Sequence, residues 1–251
     1  MMFRSFGSWG ALGAGVAAVL LGACGQGAQL QATTSAGGGG GAGGGGRVEA
    51  GSGGDRPTSA TAEKLGGSTC VSITRTAANA VADTEIASNP DGAHPNGNFG
   101  SGLAAIAGTV GPGVREALFR FDLSRVPAYA TVDSATMHLI ARAESNGGPG
   151  TTLGVFPITS PWAEDTVTWA TAPSHAASPI ASDQGGPGVH AFDVTPTVAA
   201  WLSGGAENDG VLLAQSPPYN TNFHTSEDPI ATFHPQLGVC YPTCEMARRA
   251  A

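Results

Sequence analysis

An all-β head, a two-sheet antiparallel β-sandwich of jelly-roll type with one short helix, is the fold class this chain predicts. Three observations carry the expectation. In Glu116–Leu123 the residues Ala117, Phe119, Phe121 and Leu123 alternate with Glu116, Arg120 and Asp122, and Thr131–Arg142 repeats the pattern with Ala135, Met137, Leu139 and Ala141. A period of two marks a strand with one face buried. Turn clusters punctuate the chain, among them Asn89-Pro90-Asp91-Gly92, Asn146-Gly147-Gly148-Pro149-Gly150 and Gly185-Gly186-Pro187-Gly188. Only 12% of residues are charged and 39 are Gly, a balance that suits a secreted β protein better than a helical one.

The chain opens with Arg4, an uncharged stretch over residues 10–24, and Leu21-Gly22-Ala23-Cys24. A charged start, a short apolar core and small residues before a cut describe an export signal, not a membrane span of about 20 apolar residues. The last four residues resemble the lipobox of bacterial lipoproteins. The resemblance implies a signal peptide over 1–23, cleavage before Cys24 and acylation of that cysteine; a plain secretory signal is the alternative. Gly25 after Cys24 is compatible with outer-membrane sorting in a two-membrane cell, so the expected location is the cell envelope or surface.

Residues 24–67 read as a tether. Nine of the ten residues from Gly37 to Gly46 are Gly, and charge returns only at Arg47. Such a segment has nothing to bury against its conformational entropy. About 40 residues of flexible coil reach roughly 35 Å. The head then spans 68–242, and 243–251 form a short tail.

Within the head, the strands expected besides the two already named are Thr69–Arg75, Ala80–Ser88, Leu103–Val110, Thr152–Ile158, Val189–Val194, Gly210–Gln215, Asn222–Ser226 and Gln236–Tyr241. One helix follows Thr195, which can cap it. Pro196 suits its first position, Val198, Ala199, Trp201 and Leu202 give it an apolar face, and Gly204-Gly205 ends it. Two turns cannot stand alone, so this helix is expected to pack across one end of the sandwich.

With Cys24 acylated, Cys70, Cys240 and Cys244 remain for an oxidising compartment. Cys70 and Cys240 each alternate away from the apolar face of their strands. If the first and last strands lie side by side, a Cys70–Cys240 bridge closes nearly the whole domain. Cys70–Cys244 and Cys240–Cys244 are the alternatives.

Five stretches resemble, in order, the DNRLRE domain family, which is related to an alginate-binding type of carbohydrate-binding module. They are Ala82-Asp83-Thr84-Glu85-Ile86 with Asn98-Phe99-Gly100-Ser101; Arg115 to Ser124; Trp162-Ala163-Glu164-Asp165-Thr166-Val167-Thr168-Trp169; Phe192-Asp193-Val194-Thr195 with Ala200-Trp201-Leu202-Ser203-Gly204; and Ser226-Glu227-Asp228-Pro229 before Pro235-Gln236-Leu237. Together they cover residues 70 to 241. The resemblance implies a β-sandwich without an active site of its own, displayed on surfaces or appended to enzymes. A non-catalytic, cell-surface lipoprotein binding polysaccharide is therefore the expected function, with a structural or adhesive protein, binding another protein or itself, as the alternative.

Charge narrows the partner. The head holds five Arg (75, 115, 120, 125, 142) and no Lys against fifteen Asp and Glu. Nucleic acid and anionic membrane surfaces both call for clustered cations, so contact with membrane is expected through the lipid alone. The same balance disfavours alginate, a polyanion, and leaves neutral glycans open.

Catalytic signals are weak. No Gly-x-Ser-x-Gly or His-Glu-x-x-His is present and the six His are scattered. Glu164/Asp165 and Glu227/Asp228 invite a paired-carboxylate glycosidase, yet acidic residues at strand ends commonly bond turn backbone. Trp162 and Trp169 invite sugar stacking; packing is the favoured reading. If Glu116–Leu123 and Thr131–Arg142 are neighbours, Arg120, His138 and Arg142 share an outward face that could meet a ligand. Asp91, Asn96 and Asn98 form a candidate loop for structural Ca²⁺, although such runs are ordinarily turns. No other cofactor is implied.

Overall fold

The computed structural model describes residues 67–75, 80–88, 96–128 and 130–243. The signal, Cys24, most of the tether, Asp91, Cys244 and the tail beyond Thr243 lie outside them. The strands are β1 (Ser68–Ile73), β2 (Val81–Ala87), β3 (Ala104–Val110), β4 (Gly113–Phe121), β5 (Ser134–Ala141), β6 (Leu153–Pro157), β7 (Ala181–Asp183), β8 (Gly188–Asp193), β9 (Val211–Gln215), β10 (Asn220–His224) and β11 (Gln236–Pro242); the helix is α1 (Thr195–Leu202).

All strand pairings are antiparallel. The all-β antiparallel expectation with one helix holds, but the structure does not divide cleanly into two sheets. The strands form one hydrogen-bonded sheet in the order β1-β11-β5-β10-β3-β4-β9-β6-β7, with β2 added to β4 and β8 to β5. The link that makes it continuous is thin: β10 runs along β3 over five pairs but meets β5 only at Phe223↔Ala141. The sheet curls there, and its two arms share one core. Met137, Leu139 and Phe192 from the β5 arm are buried in one cluster with Phe119, Val155 and Leu213 from the β4 arm.

The alternation read in β5 holds: Ala135, Met137, Leu139 and Ala141 are buried and the residues between them are not. In β4 it holds for Ala117, Phe119 and Phe121, but Leu118, on the other face, is buried too. A second, smaller cluster explains it. Ile86, Leu118 and Leu212 are covered from outside by Ile158, Trp162 and Val167. The segment after β6 thus folds back over the outer face of β4. Trp162 is 7% exposed and Trp169 packs against the same cluster, so packing accounts for both. They share a side because the chain between them turns instead of running extended.

Helix α1 begins differently from the expectation. Val194 is its N-cap, without a side-chain hydrogen bond. The Asp193 carboxylate accepts the Thr195 backbone N–H at 2.9 Å, while the Thr195 hydroxyl oxygen accepts from Ala135 N–H of β5 at 2.8 Å. Thr195 therefore ties the helix to the sheet. Gly204, at φ +73°, ends the helix in a conformation that favours glycine.

The first and last strands pair, and Cys70 faces Cys240 in register at a Cα–Cα distance of 4.0 Å. Their disulfide closes a sequence separation of 170 residues. For so long a loop the chain-entropy model gives a stabilisation of about 5 kcal/mol. Replacing both, Cys70→Ser with Cys240→Ser, is expected to lower unfolding stability in urea by up to that amount at unchanged far-UV circular dichroism. A loss under about 1 kcal/mol would show that the bridge does not constrain the unfolded chain.

Candidate functional site

Strand β2 is hydrogen-bonded to β4 alone, and its register sets Asp83 opposite Phe119 and Glu85 opposite Ala117. Opposed residues share a face, so two carboxylates stand on the core side of the sheet, 0% and 2% exposed. Buried charge requires partners. Glu85 pairs with Arg115 and accepts the Ile106 N–H at 2.7 Å. Asp83 accepts the Ser226 N–H through both oxygens, at 3.1 and 3.0 Å.

The open edge of β2 is covered by a side chain. Glu164 Oε1 accepts the Asp83 backbone N–H at 3.1 Å. Asn98 Nδ2 donates to the Glu164 and Val167 carbonyls, both at 2.8 Å. Gly100 lies so close to this loop that a Cβ would sit 2.2 Å from the Glu164 carbonyl oxygen, which is why no larger residue fits there. Across the junction Glu227 pairs with Arg75, whose Nη1 also donates to Ser226 Oγ at 2.8 Å.

Asp83, Glu164 and Glu227 thus bring carboxylate oxygens within 4.8 Å of one another. Oxygen donors of this kind suit a hard cation such as Ca²⁺. However, Arg75 already sets a positive charge against Glu227, and backbone N–H groups take Asp83 and one oxygen of Glu164. The arrangement is an internally hydrogen-bonded junction that fastens β2 to two loops. Burial pushes the Asp83 carboxyl up to about 6, against the Ser226 hydrogen bonds that pull it down. Burial also raises Glu164, opposed by the Asp83 N–H and by Arg75.

Beside the junction runs an open groove of about 640 Å³, lined by Arg120, Asp122, Glu164, Asp165 and Asn208 among others. Arg120 is held in place: its Nη1 donates to the Trp162 carbonyl at 3.0 Å and its guanidinium carbon lies 5.0 Å from the Trp162 ring centre. Asn208 Nδ2 donates to the Phe121 carbonyl at 2.9 Å, while its buried Oδ1 has no partner among the described residues.

The remaining residues singled out from sequence scatter. The face expected from Arg120, His138 and Arg142 does not assemble, because β4 and β5 are not neighbours. His138 sits on β5 between Gln236 and Ala191. Arg142 pairs with Asp228 Oδ2 at 3.3 Å and donates to the Leu103 carbonyl. Asp228 is itself a hub: burial pushes its carboxyl up, but the Ile230 N–H, His224 and Arg142 together hold it below the usual range. Of the candidate calcium loop, Asp91 is outside the described residues. Asn98 is turned to the 164–167 loop, and its Oδ1 accepts the Gly100 N–H at 3.2 Å. The roles of Arg75, Asp83 and Asn208 were not read from sequence. Asp83 carried the one available signal, an acidic residue alternating with apolar ones in a strand.

A rigid β scaffold with open clefts between its loops, and with its buried acidic residues committed to internal bonds, has the build of a binding module. Residues 74–241 match the model of carbohydrate-binding module family 96, well over half of the chain, and the chain belongs to that family. None of the curated proteins compared with it matches.

The Asp83 carboxyl gives a pH test. Its folded value of about 6 exceeds the ordinary 3.8, so the folded state holds this proton more tightly. Its contribution is therefore most favourable below pH 3.8 and is lost as pH rises through 6, by about 3 kcal/mol in all. Urea unfolding at pH 4 and pH 7 is expected to show the wild type losing up to that much relative to Asp83→Asn. Parallel curves would mean that Asp83 does not titrate this way.

Proposed function

We propose that this protein is a non-catalytic, lipid-anchored surface module that holds neutral polysaccharide against the cell envelope. Membership of carbohydrate-binding module family 96 carries the binding part of this reading. The preference for neutral glycan rests on the cations. All five arginines of the head are engaged within the protein: Arg75 with Glu227, Arg115 with Glu85, Arg142 with Asp228, Arg120 on Trp162, and Arg125 on the Ser72 carbonyl at 3.2 Å. With no Lys in the head, little positive charge is left to meet a polyanion.

The anchoring part rests on sequence alone. Leu21-Gly22-Ala23-Cys24 would deliver an acylated Cys24, and the Gly-rich segment after it would let the head reach roughly 35 Å from the bilayer. A structural or adhesive role has no observation of its own in its favour. The exposed large apolar side chains, Leu103, Val114, Ile180, Val189 and Ile230, come from five separate segments.

A glycan array probed with the whole chain is expected to light up neutral polysaccharides and to leave alginate dark; an array without signal would overturn the binding reading. In a bacterial host, mass spectrometry is expected to find an N-terminal Cys24 acylated on its thiol and its amino group, and Cys24→Ser to release the protein from membranes. An unmodified Cys24 on soluble protein would remove the anchor.

A further inference from the structure

Resting on the carbohydrate-binding reading, we infer that a second cleft, between helix α1 and the segment after β6, is the sugar subsite, with Trp201 as its stacking platform. The cleft encloses about 570 Å³ and is lined by Trp201, Pro157, Pro161, Pro196, Glu207 and Asp209 among others. It is separate from the groove at Arg120, although the same two loops wall both.

The two tryptophans near this cleft differ in a way that assigns their roles. Trp162 is 7% exposed, and its Nε1–H donates to the Asp209 carbonyl at 2.7 Å. It is fully committed, and its hydrogen bond fixes the wall that carries Asp209. Trp201 is half-buried, with part of its surface packed on the main core. Its indole N–H has no partner among the described residues. A large aromatic surface with an unused donor, held rigidly on a helix, is pre-organised for a ligand with one apolar face and polar edges.

The rim selects the chemistry. The carboxylates of Glu207 and Asp209 likewise have no hydrogen-bond partner among the described residues, and none of the cleft-lining residues is Arg, Lys or His. Two carboxylates without a counter-charge repel a uronate or sulfated sugar. They accept hydrogen bonds from hydroxyls. A neutral pyranose offers both parts of the match, a C–H face for the indole and hydroxyl edges for the carboxylates. The occupant is therefore a neutral hexose or pentose unit of a polysaccharide, seated with its ring on Trp201 and its hydroxyls toward Glu207 and Asp209.

The test uses the whole chain and four soluble probes: a β-glucan, a galactomannan, a xylan, and alginate as the polyanion. Affinity electrophoresis and tryptophan fluorescence read binding. The wild type is expected to bind at least one neutral probe with a change in fluorescence. Trp201→Ala is expected to weaken that binding by about tenfold or more, and Trp201→Tyr to keep it within about threefold. Because Trp201 also touches the core, Trp201→Ala counts only if its melting curve stays cooperative. The double variant Glu207→Gln, Asp209→Asn decides independently: about tenfold weaker binding supports the subsite. Wild-type affinity in that double variant, or in a folded Trp201→Ala, overturns it while the carbohydrate-binding reading stands. Binding of alginate alone also overturns the subsite and spares that broader reading. Binding of no probe overturns both.

Discussion

Two carboxylates on the core side of an edge strand are the constraint from which much else in this molecule follows. Asp83 and Glu85 cannot reach water, and an unpaired buried charge costs several kcal/mol. Each must recruit donors from elsewhere in the chain. Glu85 draws in Arg115 and the backbone of β3; Asp83 draws in the turn at Ser226. The edge of β2 away from β4 could invite another strand, and at Asp83 its N–H is taken by the Glu164 carboxylate instead. Polar satisfaction therefore helps position the 226–228 loop, and in the 161–167 loop it adds to the apolar burial of Trp162 and Val167.

Once the 161–167 loop is pinned, its other contacts shape the clefts beside it. Trp162 closes the small cluster over Leu118 and, through Asp209, locks the 206–209 segment against it. Clefts open on either side of this tie, one toward Arg120 and one toward Trp201. Loops carrying function on a scaffold that does not move is the common economy of β folds. Here the scaffold reaches into the walls of both clefts through several ties, among them Glu164 to the Asp83 N–H, Arg120 to the Trp162 carbonyl and Asn208 to the Phe121 carbonyl.

How much of this is legible in sequence depends on whether the information is local. The alternation of β5 and of the inner face of β4 is local, and it located the core strands correctly. So is the outward alternation of Cys70 and Cys240, which anticipated the bridge once their strands were set side by side. Strand β7, only Ala181–Asp183, offers no alternation and was not expected. The burial of Leu118 was not read, because nothing in β4 itself announces that a segment 40 residues later will cover it. The Arg120, His138 and Arg142 face failed for the same reason: it assumed a neighbourhood between β4 and β5 that the curled sheet does not make. Five motif stretches were legible as a family resemblance, while the gathering of the Asn98, Arg115, Glu164 and Ser226 stretches around β2, and the placing of Phe192–Thr195 beside β5 instead, are properties of the fold alone.

The charge pattern then takes on a different meaning from the one composition suggests. A head with five Arg and fifteen acidic residues reads as simply acidic. Yet Arg75, Arg115 and Arg142 each neutralise a carboxylate that burial would otherwise strand, and Arg120 sits on an indole face. Positive charge is consumed inside the structure, where it is worth most, and the surplus of carboxylates is left facing solvent and the clefts. Under the proposed reading this pairing leaves little cation to draw in a polyanion, because the internal ion pairs already use the residues such recruitment would need. The proposed preference for uncharged sugar would rest on the same ion pairs that hold the loops in place, so that fold and ligand preference would share one allocation of arginine.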